Sequence, residues 1–124
     1  MIIAIDFDGT IVDHRYPGLG LPVPGAIDWM KRFVNAGAKI ILWTMRSDGK
    51  DGPTLTAAVE YLQRQGVELW SINGNPEQLD WTDSPKAYAD LYIDDRSFGC
   101  PRRENPRAGG SPFVDWEEVG PAVW

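Results

Sequence analysis

The sequence contains few of the residues that build disulfides or thiolate and imidazole metal sites. Cys100 is the only cysteine and His14 the only histidine among 124 residues. An intrachain disulfide is therefore impossible, and no cysteine or histidine cluster can bind a metal within the chain. The low cysteine content fits a reducing compartment.

Long apolar runs are also missing. No stretch approaches the roughly 20 consecutive apolar residues that a membrane-spanning helix needs. The first residues enter strand-like sequence, with no basic segment ahead of a long apolar run. We therefore expect a soluble, cytoplasmic protein with no membrane partner. A chain of 124 residues can bury one core without disulfides, so residues 1–124 are predicted to form a single domain.

Positive charge is in deficit, with 12 Lys and Arg against 18 Asp and Glu and a formal net charge of -6. This balance argues against the broad basic surface of a non-specific nucleic-acid binder. It leaves a phosphorylated substrate open, because a bound metal ion can supply the positive charge.

The order of apolar segments predicts an α/β fold. Strand-like runs lie at 2–5, 39–43, 67–72 and 89–93, and amphipathic helical patterns lie at about 25–36 and 53–65. This alternation predicts a three-layer, Rossmann-like parallel sheet with helices on both faces. The Arg-, Pro- and Gly-rich residues 97–112 are predicted to form a surface loop, and Asp115 is predicted to cap a short last helix that begins at Trp116.

Polar side chains follow each predicted strand. They are Asp6 and Asp8 after the first strand, Thr44 and Arg46 after the second, Asn73 after the third, and Asp94, Asp95 and Arg96 after the fourth. The carboxyl ends of parallel strands share one edge of the sheet, where such folds bind ligands. Four carboxylates at one edge cannot all stay ionised unless a cation neutralises them or some are protonated. Oxygen ligands without histidine or cysteine suit Mg²⁺, so these acids predict a magnesium site.

Three further residues carry groups that suit phosphate oxygens. Thr44 offers a hydroxyl, Arg46 a planar fork of N–H donors and Lys86 an ammonium group. Together with the acids, they predict metal-assisted phosphoryl transfer. For Arg46, a solvated loop position stays open as an alternative.

Four motifs in order resemble those of the haloacid dehalogenase-like phosphatase superfamily. They are DFDGT after the first strand, WTMR after the second, the lysine of SPKAYAD, and IDDR at the end of the fourth. The resemblance covers residues 1 to about 98 and leaves 99–124 as a C-terminal loop and short helix. The intervals between motifs leave no room for a cap domain, so the chain is similar to the small, capless Mg²⁺-dependent members of that superfamily.

The resemblance implies a role for each motif residue. Asp6 would be the nucleophile that forms an aspartyl-phosphate, and Asp8 would be the general acid and base. Thr44 and Lys86 would contact the phosphoryl group. Mg²⁺ would bind the Asp6 side chain, the Asp8 backbone carbonyl and the Asp94/Asp95 pair, with Asp95 favoured as the closer ligand.

The leading functional hypothesis is a phosphomonoester hydrolase. A phosphatase for 3′-phosphates at nucleic-acid ends and a catalytically silent binding module are the alternatives. A receiver-type signalling domain is disfavoured, because the third strand runs into Ser71, Ile72 and Asn73 with no acid. The expected partner is a phosphorylated small molecule or a phosphorylated nucleic-acid end. An open site further implies either a large substrate or a lid, formed by residues 97–112 or by a second copy of the chain in a homo-oligomer.

Overall fold

The computed structural model describes residues 1–124, which form an α/β fold. In chain order the elements are β1 (Ile2–Ile5), α1 (Ala26–Asn35), β2 (Lys39–Leu42), β3 (Asp48–Gly49), β4 (Gly52–Pro53), α2 (Thr54–Arg64), β5 (Ser71–Ile72), a 3₁₀ turn (Gln78–Asp80), β6 (Leu91–Ile93), β7 (Arg102–Arg103), β8 (Phe113–Val114) and α3 (Trp116–Val123). None of the helices has the length and apolar content that crossing a membrane requires.

The main sheet has four strands in the order β5-β2-β1-β6, and every neighbouring pair is parallel. β1 lies in the middle, with Ile3 opposite Ile40 of β2 and Leu91 of β6. Apolar residues fill β1 and β2 because both faces of these strands are covered. The predicted α/β class and parallel sheet are confirmed, and all four strands end at the same edge.

The two faces of the sheet are covered differently. Ile3 and Ile5 belong to one core with Met30 of α1, Leu62 of α2 and Trp116 of α3. The opposite face is a smaller cluster that contains Ala4, Ile41 and Ala87. The layer predicted on this second face is present, but the connection between β5 and β6 forms it. The only regular element in this connection is one 3₁₀ turn, in place of an α-helix. The right-handedness of crossover connections explains this asymmetry. The connections from β1 to β2 and from β2 to β5 both move in one direction across the sheet, so they lie on one face. The connection from β5 to β6 moves in the opposite direction and therefore lies on the other face.

The third strand is shorter than the predicted 67–72. The Val67 N–H donates to the Leu62 carbonyl at 3.0 Å, and sheet pairing begins only where the Trp70 N–H donates to the Ile40 carbonyl at 2.8 Å. Residues 67–69 therefore complete the end of α2 before the chain enters the sheet.

The C-terminal segment packs against the loop that follows β1. The Asp115 side chain accepts the Glu117 N–H at 3.1 Å, which confirms the predicted cap of the last helix. The buried Trp116 donates its indole N–H to the Thr10 carbonyl at 2.7 Å. Within the predicted surface loop, Arg107 Nε donates to the buried Asp13 carboxylate at 3.0 Å. These contacts tie residues 97–124 to the first motif.

Candidate functional site

The turn after β1 points two nearby carboxylates at different partners. The carbonyl of Phe7 accepts the backbone N–H groups of Thr10, Ile11 and Val12, which closes a tight turn. Gly9 has a φ of 84°, in the left-handed region that favours glycine. In this turn Asp6 lies beside the end of β6, whereas Asp8 lies beside Arg46.

Three of the four predicted acids form a cluster. Asp6, Asp94 and Asp95 each place one carboxylate oxygen so that all three atoms lie within 4.8 Å of one another. Asp6 follows the central strand β1 and the other two follow its neighbour β6, so parallel pairing brings together residues almost ninety positions apart. Asp95 is the most buried of the three, with 3% of its surface exposed.

The cluster shifts the protonation of its own members. Burial raises the pKa of Asp6 from 3.8 to about 8, and the charges of Asp94 and Asp95 act in the same direction. A hydrogen bond from the Thr10 hydroxyl to Asp6 Oδ2, at 3.1 Å, partly opposes the rise in pKa. Burial also raises the pKa of Asp94, against the effect of the Arg96 N–H that it accepts. In the absence of a cation, the cluster therefore retains a proton near neutral pH.

The donor set of this cluster fits a magnesium ion. All of its ligand atoms are carboxylate oxygens, which Mg²⁺ prefers. Asp95 Oδ1 is buried and has no hydrogen-bond partner, which is costly for a carboxylate oxygen unless a cation or proton satisfies it. The Asp8 side chain is not part of this cluster because it is paired with Arg46, and the predicted metal contact through its backbone carbonyl stays a prediction.

Arg46 binds both oxygens of the Asp8 carboxylate. Its Nε and Nη2 atoms lie 2.9 and 2.8 Å from Asp8 Oδ2 and Oδ1. Nη2 also donates to the Gly18 carbonyl at 2.7 Å, and Nη1 donates to the carbonyls of Pro17 and Thr54 at 3.3 and 3.4 Å. These contacts use all five N–H groups of a guanidinium.

The structure thus corrects the predicted position of Arg46. Only 2% of its surface is exposed, so the alternative of a solvated loop arginine is wrong. No N–H group is left to bind a substrate phosphate in this arrangement. In place of the predicted phosphate contact, Arg46 fixes the orientation of Asp8.

Thr44 lies where the sequence placed it, at the carboxyl end of β2. Its backbone N–H donates to Asn73 Oδ1 at 2.8 Å, and its hydroxyl oxygen accepts the backbone N–H of Arg46 at 3.0 Å. Asn73 has a φ of 55°, which asparagine tolerates better than most residues. The Thr44 hydroxyl proton therefore remains available to a ligand at the strand ends.

Lys86 is the predicted site residue that the structure does not bring to the acids. Its ammonium nitrogen lies 5.7 Å from the centre of the Tyr92 ring, and Lys86 lines neither of the two cavities beside Asp6. The adjacent Pro85 does line one of them. A contact between Lys86 and a bound phosphate stays a prediction that requires another rotamer of its flexible side chain.

Two open cavities meet at Asp6. A cavity of about 500 Å³ is lined by Asp6, Asp8, His14, Tyr16, Met45, Arg46, Asp94, Asp95 and Arg96. A second, of about 400 Å³, is lined by Asp6, Trp43, Thr44, Met45, Asn73, Pro85 and Asp94. They share Asp6, Asp94 and the fully exposed Met45. No separate domain covers them, so the strand ends are accessible from solvent within one chain.

Sequence reasoning assigned no role to two residues that contact the acids. The Thr10 hydroxyl donates to Asp6 and accepts the Asp95 N–H at 3.2 Å, so it links β1 to β6. His14 Nε2 lies 2.8 Å from Asp95 Oδ2. Thr10 could have been singled out, because it closes the DFDGT motif. No pattern marked His14, since its partner is 81 residues away.

The fold and the site define an α/β protein with a carboxylate cluster at the carboxyl edge of a parallel sheet. The chain is similar to the solved structure of a conserved protein from Bacteroides thetaiotaomicron, with 36% sequence identity and a TM-score of 0.76. The similarity covers 99% of this chain and 88% of the Bacteroides chain, so the chain belongs to the same family as that protein. No protein-family model and no curated protein matches the present chain.

Proposed function

We propose that this protein is a Mg²⁺-dependent phosphomonoester hydrolase of the haloacid dehalogenase-like type, with Asp6 as the nucleophile. One observation carries the proposal. A partly buried carboxylate at the end of the central strand shares a cavity with two further acids and with a second carboxylate, Asp8, that is oriented separately by Arg46. The two acids of the first motif are thus in different environments, as two different chemical tasks require.

The first step would transfer the phosphoryl group to Asp6. A carboxylate oxygen of Asp6 attacks phosphorus, a P–O bond forms, and the bond to the leaving oxygen breaks while Asp8 gives that oxygen a proton. In the second step water attacks phosphorus, Asp8 takes a proton from the water, and the bond to Asp6 breaks. Inorganic phosphate leaves and Asp6 is restored.

Arg46 would hold the Asp8 carboxyl group in position during both steps. Arg46 occupies one lone pair on each carboxylate oxygen of Asp8, and the second lone pair of either oxygen is left for the proton that Asp8 would give and take. The hydrogen bonds from Arg46 keep this carboxyl group at the cavity wall. Thr44 would donate its hydroxyl proton to a phosphoryl oxygen from the neighbouring strand end.

The side chains of Asp6, Asp94 and Asp95 and the backbone carbonyl of Asp8 would bind the metal. When bound, Mg²⁺ would offset the negative charge of these acids and of the phosphoryl group. Thr10 fixes Asp6 through its hydroxyl, so that one Asp6 oxygen is oriented before substrate arrives.

The open cavities support more than one substrate class. Phosphorylated small molecules fit a cavity of about 500 Å³, and an uncovered site also admits a phosphorylated nucleic-acid end or a lid from a second copy of the chain. Phosphate release from a panel of phosphorylated metabolites and 3′-phosphorylated oligonucleotides, measured with Mg²⁺ and with EDTA, tests the proposal. Hydrolysis of no member of the panel would favour the silent binding module.

Replacement of Asp8 by asparagine is expected to slow turnover on the order of 10²–10⁴-fold, the usual contribution of a general acid and base. Mg²⁺ affinity should change little, because the predicted ligand from residue 8 is its backbone carbonyl. Steady-state kinetics and calorimetric Mg²⁺ titration, both below the melting temperature of the variant, measure the two effects. A variant that lost Mg²⁺ binding would place the Asp8 side chain among the ligands.

The metal-free protein is expected to lose stability as the pH rises from about 4 to about 8. Over this interval the folded state binds a proton on Asp6 that the unfolded state has released, since the pKa is about 8 in the first and near 3.8 in the second. Mg²⁺ should reverse the loss. At 100 times its dissociation constant it would add about 2.7 kcal/mol to the free energy of unfolding, or on the order of 10 °C in melting temperature.

Thermal denaturation at pH 5 and pH 8, in EDTA and in Mg²⁺, checks this dependence. The rise in melting temperature on adding Mg²⁺ should be larger at pH 8 than at pH 5, because fewer molecules then hold the Asp6 proton with which the metal competes. An equal rise at both pH values would mean that the cation binds away from Asp6.

A further inference from the structure

His14 and Asp95 form a contact that the proposed reaction does not use. His14 Nε2 lies 2.8 Å from Asp95 Oδ2, and the Asp95 side chain is only 2% exposed. The other carboxylate oxygen, Oδ1, is buried without a hydrogen-bond partner. Arg96 approaches the same Oδ2 atom, but its Nε is 3.6 Å away on a side chain that is 76% exposed. Thus Oδ2 of Asp95 accepts a hydrogen bond from outside the acid cluster, and Oδ1 has no donor.

The turn after β1 leaves the space in which this contact forms. A Cβ atom at Gly9 would overlap both Asp95 Oδ2 and His14 Nε2. Any side chain at residue 9 would therefore displace the imidazole, the carboxylate or both. The glycine needed for the left-handed turn is also the residue that lets the two side chains meet.

The backbone that carries His14 is itself anchored. Asp13, the preceding residue, is 3% exposed and accepts the Leu21 N–H at 2.8 Å and Arg107 Nε at 3.0 Å. The His14 carbonyl accepts Arg107 Nη2 at 3.5 Å. Hydrogen bonds to Asp13 and to the His14 carbonyl thus hold in place the backbone from which the imidazole extends to Asp95.

We propose that His14 is a positioning residue that fixes the Asp95 carboxylate, so that Oδ1 is the oxygen offered to a divalent cation. The inference rests on the proposed function, because it concerns the same magnesium site. A carboxylate with two unbound oxygens can rotate, whereas a donor on one oxygen fixes the direction of the other. Hydrogen bonds that orient metal ligands in this way commonly contribute 10–100-fold to metal affinity.

Calorimetric titration with MgCl₂, without substrate, tests the role of His14. We expect His14→Ala and His14→Asn to bind Mg²⁺ about 10–100-fold more weakly than the wild type. His14→Gln should stay within about threefold of the wild type, because its amide nitrogen extends about as far from Cβ as imidazole Nε2, whereas that of asparagine does not. Circular dichroism and melting temperature establish that each variant is folded.

NMR of the imidazole gives a second reading, and it is unambiguous because His14 is the only histidine. In the Mg²⁺-loaded wild type at pH 8, long-range ¹H–¹⁵N spectra should show the proton on Nε2, as a donor to an ionised Asp95 requires. A proton on Nδ1 alone would overturn the inference, even if the affinities agreed with it.

The outcomes separate this inference from the proposed function. Wild-type affinity in folded His14→Ala would overturn the positioning role and leave the magnesium site intact. Equal weakening in the alanine, asparagine and glutamine variants would also overturn it, because the hydrogen bond could not then be the cause. A wild type that binds no Mg²⁺ would overturn both proposals.

Discussion

Asp6→Asn is expected to abolish phosphate release, with a fall in kcat of at least about 10⁴-fold, as for other covalent nucleophiles. An amide is a far poorer nucleophile than a carboxylate. The same substitution should raise the melting temperature of the metal-free protein at pH 8, because it removes a charge that Asp94 and Asp95 repel. Loss of activity together with a gain in stability would separate a chemical role from a folding defect.

Mass spectrometry after acid trapping provides the direct reading. The wild type incubated with acetyl phosphate and Mg²⁺ should carry a phosphoryl group on Asp6, and the Asp6→Asn variant should carry none. Asp28→Asn is the matched control, since Asp28 is an exposed aspartate on α1 that lines neither cavity beside Asp6. Wild-type turnover by the Asp6→Asn variant, or phosphate mapped to another residue, would refute the mechanism whatever the fold.

Arg46→Ala is expected to lower the free energy of unfolding by about 3–5 kcal/mol, the usual cost of removing one partner of a buried ion pair. The Asp8 carboxylate would lose both of its donors, and three backbone carbonyls would lose theirs. Activity should fall on the order of 10²–10⁴-fold below the melting temperature, because the general acid and base would no longer be oriented. Urea denaturation and steady-state kinetics measure the two effects.

A double-mutant cycle with Asp8→Ala measures how much of the loss in free energy of unfolding comes from the interaction between Arg46 and Asp8. The double variant should be more stable than the sum of the single changes predicts, because it leaves no unpaired charge behind. Arg46→Lys should recover only part of the stability, since an ammonium group cannot supply five donors in a planar fork. Full stability in Arg46→Ala would mean that the guanidinium is not the partner on which Asp8 depends.

Much of the fold follows from local patterns that the sequence displays. The apolar runs at Ile2–Ile5 and Lys39–Leu42 are strands because both faces of these central strands are buried. Both long helices end within a residue or two of a glycine that stops the helical pattern. The two short hairpins, β3–β4 and β7–β8, were not predicted, because two-residue strands carry no measurable periodicity.

The meeting of the acids also follows from the sequence. Once the strands are parallel, residues that directly follow them must lie at one edge, so Asp6, Asp94 and Asp95 had to come together. The magnesium site and the phosphoryl chemistry built on it remain predictions. They depend on residue type and on the order of strands along the chain, which can be read from one sequence, whereas the pairing of β6 with β1 comes from the structure.

Only the tertiary structure decided which side chains are paired with those acids. Arg46 lies 38 residues from Asp8 and His14 lies 81 from Asp95, and neither pairing follows from strand order. Each depends on the direction in which a loop side chain leaves its turn, which the packing of residues 13–18 and 105–107 settles. The sequence by itself thus determined the parallel sheet, its carboxyl edge and the acids along that edge. The tertiary structure decided the hydrogen bonds that orient them, because those bonds join segments whose relative position exists only after the chain has folded.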